Sequence, residues 1–200
     1  MRLYHANMTR GFRPRWLLEE TGADFELVTV NVGAGEQRRP EYLAIHPLGA
    51  LPALDDEGVI VLESSAICMH LADRFPEAEL APTKGTPESA AYYQWIAYAV
   101  CTIEPLVTPV YMRGFRVSKD ERHSVATDEE RQKLNRVLAP MLDALGDRDF
   151  LVGAALSTAD IITAGVLLWA DSVGLLQDSP RAKAYLDSLA ARDAFQRALQ

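Results

Sequence analysis

The sequence is poor in cysteine, with Cys68 and Cys101 the two such residues among 200. No CxxC pair occurs, and two cysteines do not make a disulfide framework. No apolar run approaches the roughly 20 residues that span a bilayer, so we expect no membrane partner. The first ten residues contain no signal-peptide core, and we therefore predict a cytoplasmic protein.

Other functional patterns are also missing. Histidine, cysteine and carboxylate side chains show no metal-ligand spacing, so we expect no metal; neither a Ser-His-Asp set nor a phosphate loop is apparent. The net charge of -8 argues against nucleic acid as a partner. Acidic residues are absent from residues 2–15, which hold Arg2, Arg10, Arg13 and Arg15. This arginine cluster indicates either a site for a small anion or a solvated face at a helix start, and charge alone favours the solvated face.

What is present suits a globular protein, with 48% apolar and 24% charged residues. A chain of 200 residues can hold two small domains. The predicted strands are 2–5, 25–32 and a pair around a turn at 56–58, and the predicted helices are 11–21 and 64–75. This order, β-α-β, loop, β-β-α, predicts an α/β thioredoxin-like domain over residues 1–80.

The remainder of the chain shows no convincing strand. Helical periodicity covers 88–115, 128–145, 157–173 and 180–199. A segment with Pro82 and Pro87 precedes these helices and has the composition of a linker. We therefore predict an all-α helical-bundle domain over residues 88–200. Ser157 and Asp160 fit a capping box at the start of a core helix, a structural role without chemistry.

Three segments carry a family resemblance. They are MRLYHANMTRGFRPRWLLEETG at residues 1–22, HPLGALPALDDEGVIVLESSAICMHLADRFPEAELAP at 46–82 and FLVGAALSTADIITAGVLLWA at 150–170. Together they resemble the bacterial type of cytosolic glutathione S-transferase. The resemblance implies a homodimeric, detoxifying transferase that joins the thiolate of glutathione, its co-substrate, to an electrophilic, mostly apolar small molecule. Two alternatives stay open: a non-catalytic glutathione-binding or regulatory protein on the same fold, and a glutathione-dependent peroxidase, reductase or isomerase.

Two short motifs predict how glutathione is held. An X-Pro bond can be cis at a cost of about 0.5–1 kcal/mol. Leu51-Pro52 can therefore form a turn that leaves the N–H and C=O of Leu51 facing outward. The alternative is that Leu51-Pro52 forms a simple turn before a strand. An extended peptide can pair with such groups, and in the family the cysteinyl part of glutathione docks there. Ser64 opens a helix and is first of all a cap. At the family spacing, the resemblance implies that Ser64 binds the γ-glutamyl carboxylate and that Glu63 pairs with its ammonium group.

The loop over residues 5–11 is where the resemblance places the group that activates the thiol. The thiolate is the nucleophile and free thiols have a pKa near ~8.5, so a hydroxyl or a positive charge must lower this pKa. Thr9 is the candidate hydroxyl, and its alternative role is to cap the first helix; Asn7 and Arg10 are further catalytic candidates. Related bacterial sequences often carry serine, proline and serine where Ala6, Asn7 and Thr9 stand. This departure bears on the rate of transfer more than on glutathione binding.

The second substrate is expected to contact the first long helix of the helical domain. The candidate pocket residues are Tyr111, Met112 and Phe115, with Arg113 and Arg116 nearby. The alternative is that these side chains serve helix packing and a solvated surface.

Overall fold

The computed structural model describes all 200 residues, Met1–Gln200. They divide into two compact units: residues 1–79 together with 193–200, and residues 80–192. The predicted fold class, a thioredoxin-like domain plus an all-helical domain, is confirmed. One assignment is corrected: residues 193–200, which the sequence placed in the helical domain, belong to the first unit.

The first unit contains a four-stranded mixed sheet. Its strands are β1 (Arg2–His5), β2 (Glu26–Thr29), β3 (Ala53–Asp56) and β4 (Val59–Leu62), in the spatial order β2-β1-β3-β4. β1 runs parallel to β2 and antiparallel to β3, and β3 and β4 form a hairpin. β2 ends at Thr29 and not at the predicted residue 32, because its partner β1 ends at His5, which pairs with Thr29. A turn then begins at Val32, whose carbonyl accepts from the Gly35 N–H at 3.1 Å.

The turn between β3 and β4 follows from its residues. Glu57 and Gly58 both have positive φ, 55° and 92°, the combination that matches the twist of the two strands in a tight hairpin. Glycine adopts such a φ without steric cost. The Asp55 carboxylate accepts from the Gly58 N–H at 2.8 Å and reinforces the turn. The turn that the sequence predicts at residues 56–58 is confirmed.

Four α-helices accompany this sheet: α1 (Phe12–Thr21), α2 (Pro40–Leu43), α3 (Ser64–Arg74) and α9 (Asp193–Leu199). α1 ends as predicted at Gly22, which adopts the left-handed conformation with φ 66°. α1 packs against α3. A single residue, Glu63, separates the end of β4 from the start of α3, so the hairpin directly positions the first turn of that helix.

The carboxy-terminal helix α9 packs on α1. Phe195 is 1% exposed and makes edge-on contacts with Phe12 and Trp16, each with ring centroids 4.9 Å apart. Arg197 adds an ion pair with Glu19 at 2.7 Å. These contacts explain why the last residues belong to the first unit.

The second unit is all helical. Its helices are α4 (Pro87–Tyr98), α5 (Glu104–Gly114), α6 (Asp128–Leu145), α7 (Thr158–Ser172) and α8 (Pro180–Ala190). α6 has the predicted bounds. The single helix predicted over 180–199 is instead two, because the chain turns at residues 191–192 before α9 begins. No glycine or proline marks this break, so the burial of Phe195 overrides local helix propensity.

α4 and α5 form one helical run. They are joined by a π-helical turn, Ala99–Ile103, and together cover residues 87–114. By length and composition alone this run would also suit a membrane span, although the sequence analysis predicts none. Core helices of soluble proteins have the same properties, and both α4 and α5 pack against α7.

A buried polar network begins α7. Asp160, which has no exposed surface, accepts from the N–H and O–H of Ser157 at 2.9 and 2.7 Å, and the predicted capping box is confirmed. The same carboxylate accepts from the Leu151 N–H at 2.8 Å and the Tyr185 O–H at 2.6 Å. Burial raises the pKa of Asp160 in spite of these hydrogen bonds. Four donors therefore satisfy one buried carboxylate and connect the start of α7 to α8.

Candidate functional site

The sheet register brings the predicted glutathione-binding residues together. Tyr4 pairs with Ala53, and Ala53 pairs with Leu62. The residues one step beyond these pairs are His5 at the end of β1, Pro52 before β3 and Glu63 after β4. The three therefore lie in neighbouring positions at one end of the sheet. The loop that follows His5 starts at the same end.

The Leu51-Pro52 peptide has the cis geometry. The β3 ladder begins only at Ala53, so the backbone of Leu51 lies outside the pairing within the sheet. Tyr42, from α2, donates its hydroxyl to the Ala50 carbonyl at 2.7 Å and fixes the segment before the turn. Burial raises the pKa of Tyr42, which keeps this phenol protonated as a donor. The role of Leu51 in pairing with a peptide stays a prediction.

Glu63 has an unusual backbone, with φ 69° and ψ 118°. A non-glycine residue held in such a sparsely populated region costs on the order of 1–3 kcal/mol, and residues of this kind cluster at functional sites. The Glu63 carbonyl accepts from the Ile67 N–H at 2.9 Å, so this conformation begins α3. Its side chain is exposed, whereas the adjacent Ser64 is buried. A carboxylate, which can pair with an ammonium group, thus lies next to a hydroxyl at a helix start, which can donate to a carboxylate. The two residues suit the opposite charges of a zwitterionic ligand.

Ser64 receives a hydrogen bond from α1. The Arg13 guanidinium donates through Nη1 to Ser64 Oγ at 3.3 Å. Sequence patterns did not identify this contact, because it joins residues 51 positions apart. The only sequence signal toward it was the arginine cluster at residues 2–15.

The predicted activating loop is held by its own hydrogen bonds. The Thr9 hydroxyl donates to the Ala6 carbonyl at 2.6 Å and accepts from the Gly11 N–H at 3.1 Å. The alternative role of Thr9 as the cap of α1 is wrong: the N-cap is Gly11, with no side-chain cap. Met8 adopts a positive φ of 62° in the same loop, and the neighbouring Asn7 is exposed. The chemical roles of Thr9, Asn7 and Arg10 stay predictions.

Gly11 allows α1 to approach β1. A Cβ at residue 11 would lie 2.9 Å from the Cβ of His5, closer than real carbon atoms approach, so a side chain here would displace the start of α1. His5 itself is buried, and its pKa is lowered by burial and by the charge of Arg15. The sequence did not place His5 among the site residues. Its backbone lies at the end of β1, next to Pro52 and directly before the loop.

The residues predicted for the second substrate differ in exposure. Tyr111 is buried and stacks on Trp169, with ring centroids 4.3 Å apart and planes 5° from parallel. Met112 and Phe115 are 57% and 43% exposed. Arg113 forms two hydrogen bonds with the Glu130 carboxylate, at 3.0 and 2.7 Å. Tyr111 thus packs in the core of the second unit, while Met112 and Phe115 present apolar surface.

The turn at Pro52, Glu63 and the buried Ser64 thus meet at one end of the sheet of a thioredoxin-like domain. Residues 1–73 match the glutathione S-transferase N-terminal domain family, and residues 101–193 match the glutathione S-transferase C-terminal domain family. The chain belongs to the glutathione S-transferase family, as its sequence predicted.

Several known proteins are similar over nearly the whole chain. Glutathione S-transferase 1 from Zea mays is 30% identical over 205 residues, which cover 98% of this chain and 94% of the relative. Maleylacetoacetate isomerase from Pseudomonas aeruginosa is 30% identical over 210 residues, covering 99% and 95%. Among solved structures, a ternary complex of BphK, a bacterial glutathione S-transferase, has a TM-score of 0.81 and 30% identity, covering 100% and 98%. A sphingomonad glutathione S-transferase complexed with glutathione has a TM-score of 0.80 and 27% identity, covering 100% and 97%.

Proposed function

We propose that this protein is a glutathione transferase that joins the sulfur of glutathione to an electrophilic, mostly apolar small molecule. The observation that carries this proposal is the convergence of the cis-proline turn, Glu63 and Ser64 at one end of the sheet. In the reaction the thiol releases its proton to solvent, and the thiolate forms a bond to the electrophilic carbon. A leaving group, where the substrate has one, departs with its bonding electron pair; where the substrate has none, the carbanion formed by the addition takes up a proton from solvent.

Glutathione would bind as an extended peptide across this end of the sheet. The Ser64 hydroxyl and the free N–H groups of α3 bind the γ-glutamyl carboxylate. Glu63 pairs with the adjacent ammonium group, so neighbouring residues meet the two charges of one zwitterion. The cysteinyl backbone pairs with the N–H and C=O of Leu51 as an added strand, next to Pro52.

The thiol would then lie beside the loop that follows β1. Thr9 is the proposed donor to the sulfur, with Asn7 and Arg10 as the other candidates. Thr9 must release the Ala6 carbonyl to donate to the sulfur. The exposed Met112 and Phe115 are proposed to contact the apolar electrophile, and the buried Tyr111 supports them by stacking on α7.

The cellular setting is proposed from the same family membership. We propose a cytoplasmic homodimer with a role in detoxification. Sedimentation at micromolar protein concentration tests the dimer, and a single species of one chain mass would refute it.

A second candidate function is a glutathione-dependent isomerase. It is favoured by the 30% identity to the Pseudomonas aeruginosa maleylacetoacetate isomerase over 99% of this chain. Isomerisation leaves glutathione unconsumed, whereas conjugation consumes one thiol per product. Parallel assays of free thiol and of product, with an aryl halide and with a cis-dienone acid as substrates, distinguish the two. Retention on a glutathione column without turnover of either substrate would instead indicate a non-catalytic binding protein.

The binding site is tested by calorimetric titration with glutathione. Ser64→Ala and Glu63→Ala should each weaken binding at least tenfold, about 1.4 kcal/mol, because each removes the partner of one ligand charge. Ser124→Ala, which removes an exposed hydroxyl in the second unit, serves as the matched control and should bind as the unmodified protein does. Unchanged affinity in both site variants would contradict the assignment.

A further inference from the structure

Arg13 is the buried member of the arginine cluster near the amino terminus. It lies in the first turn of α1 and is 1% exposed, although arginine is seldom fully buried without specific partners. Its Nη1 lies 3.3 Å from Ser64 Oγ, at the first residue of α3. One charge of a cluster that the sequence assigned to a solvated face is therefore directed into the interior, behind the proposed glutathione site.

The direction of this hydrogen bond determines what the Ser64 hydroxyl can do. A guanidinium can only donate, and a serine hydroxyl has one proton and two acceptor lone pairs. Because Arg13 occupies a lone pair, the Ser64 proton stays available to donate to another acceptor. The start of α3 offers its N–H groups and the positive end of its dipole at the same place. An acceptor that carries negative charge fits this arrangement best.

The Arg13 charge also acts further along α3. Cys68 lies about one turn after Ser64 and is fully buried. Burial raises the pKa of the Cys68 thiol to about 12, and the Arg13 charge acts in the opposite direction. The hydrogen bond to Ser64 places the guanidinium at the first residue of α3. A charge in the protein interior is screened less than one in water.

We propose that Arg13 is the positioning residue for the α-carboxylate of the γ-glutamyl group. It orients the Ser64 hydroxyl as a donor and holds a fixed positive charge behind that hydroxyl. This inference rests on the proposed binding of glutathione at Ser64. Arg13 acts through Ser64, so it selects for peptides that carry a carboxylate at this end. A glutathione analogue without that carboxylate gains nothing from Arg13.

The test compares two peptides: glutathione, and γ-aminobutyryl-cysteinylglycine, which lacks only the α-carboxylate. Calorimetric titration of Arg13→Met should show roughly a tenfold loss of glutathione affinity, the scale of one hydrogen bond to a charged group. Affinity for the analogue should stay unchanged. Arg13→Lys keeps the charge and should retain most of the glutathione affinity. Arg74→Met is the matched control, because Arg74 lies in the last turn of the same helix with a side chain 50% exposed.

Kinetics add a second readout. In Arg13→Met the KM for glutathione should rise about tenfold, while kcat at saturating glutathione stays unchanged. Equal losses for both peptides would refute the proposal, since a general defect in the fold does not depend on the carboxylate. Unchanged glutathione affinity would also refute it. If circular dichroism shows Arg13→Met to be unfolded, Arg13→Gln takes its place with the same expectations. An unmodified protein that binds no glutathione would overturn the proposed function instead, so the two failures are distinguishable.

Discussion

Replacing Thr9 by alanine removes a hydroxyl that already has two hydrogen-bond partners. It donates to the Ala6 carbonyl at 2.6 Å and accepts from the Gly11 N–H at 3.1 Å. A hydrogen bond to a charged group contributes about 1.5–3 kcal/mol, and an ordinary one about 1 kcal/mol. Exchanging the Ala6 carbonyl for a thiolate therefore leaves a net gain of about 0.5–2 kcal/mol. At 1.36 kcal/mol per unit, this lowers the thiol pKa by about 0.4–1.5 units.

Thr9→Ala should accordingly raise the pKa of the bound thiol by the same amount and lower turnover at neutral pH, with glutathione affinity little changed. Ultraviolet titration of the bound thiolate measures this pKa, and Thr9→Ser, which keeps the hydroxyl, is the matched control. If the curve stays in place for Thr9→Ala but moves for Asn7→Ala or Arg10→Ala, the activating group is that neighbour. If none of the three moves it, backbone N–H groups alone activate the thiol, or the protein does not activate thiols.

Two further predictions concern stability. Phe195→Ala should destabilise the first unit by about 3 kcal/mol in urea unfolding, the scale of a buried phenylalanine. Leu199→Ala in the same helix should destabilise it far less, because Leu199 is 47% exposed. Similar losses in the two variants would contradict the packing of α9. The Arg113 hydrogen bonds hold the pKa of Glu130 at about 2, so this pair stabilises the folded state above the ordinary carboxyl pKa and loses that effect as the pH falls toward 2. Arg113→Met should therefore lower the unfolding free energy by at most about 1 kcal/mol more at pH 7 than at a pH below 2, because the pair is partly exposed. The hydrogen bond from Arg113 to the Val125 carbonyl adds a part that does not depend on pH. A loss that is the same at every pH would refute the linkage.

Local signals in the sequence predicted the elements that local chemistry decides. The left-handed stop at Gly22, the turn at Glu57-Gly58 and the capping box at Ser157 and Asp160 each depend on residues within a few positions of one another. For the same reason the bounds of α6 are correct. Patterns of this kind need no knowledge of the rest of the chain.

Contacts between distant residues account for what the sequence missed. α9 separates from α8 because Phe195 packs on α1. α1 and α9 lie at opposite ends of the chain. Arg13 reaches Ser64 across 51 positions. In both cases a side chain that could equally have been solvated is buried by a partner from elsewhere. Composition and periodicity carry no information about such a choice.

The candidate site also has one part that depends on local sequence and one part that depends on contacts between distant residues. In the β3–β4 hairpin, once the turn is placed at Glu57-Gly58, the register is fixed and the strand ends at Pro52 and Glu63 must meet. Leu51, Glu63 and Ser64 thus lie in one short stretch of sequence, and Arg13 is the member of the proposed binding site that comes from outside it. The activating half depends on how closely α1 approaches β1, which the contact between Gly11 and His5 sets. A side chain at residue 11 would displace the loop and the start of α1 without altering the hairpin. Substitutions in the loop that leave Gly11 and Arg13 in place can therefore change the rate of transfer without moving Leu51, Glu63 or Ser64, whereas a change at Gly11 should affect both functions, because it also shifts the helix that carries Arg13.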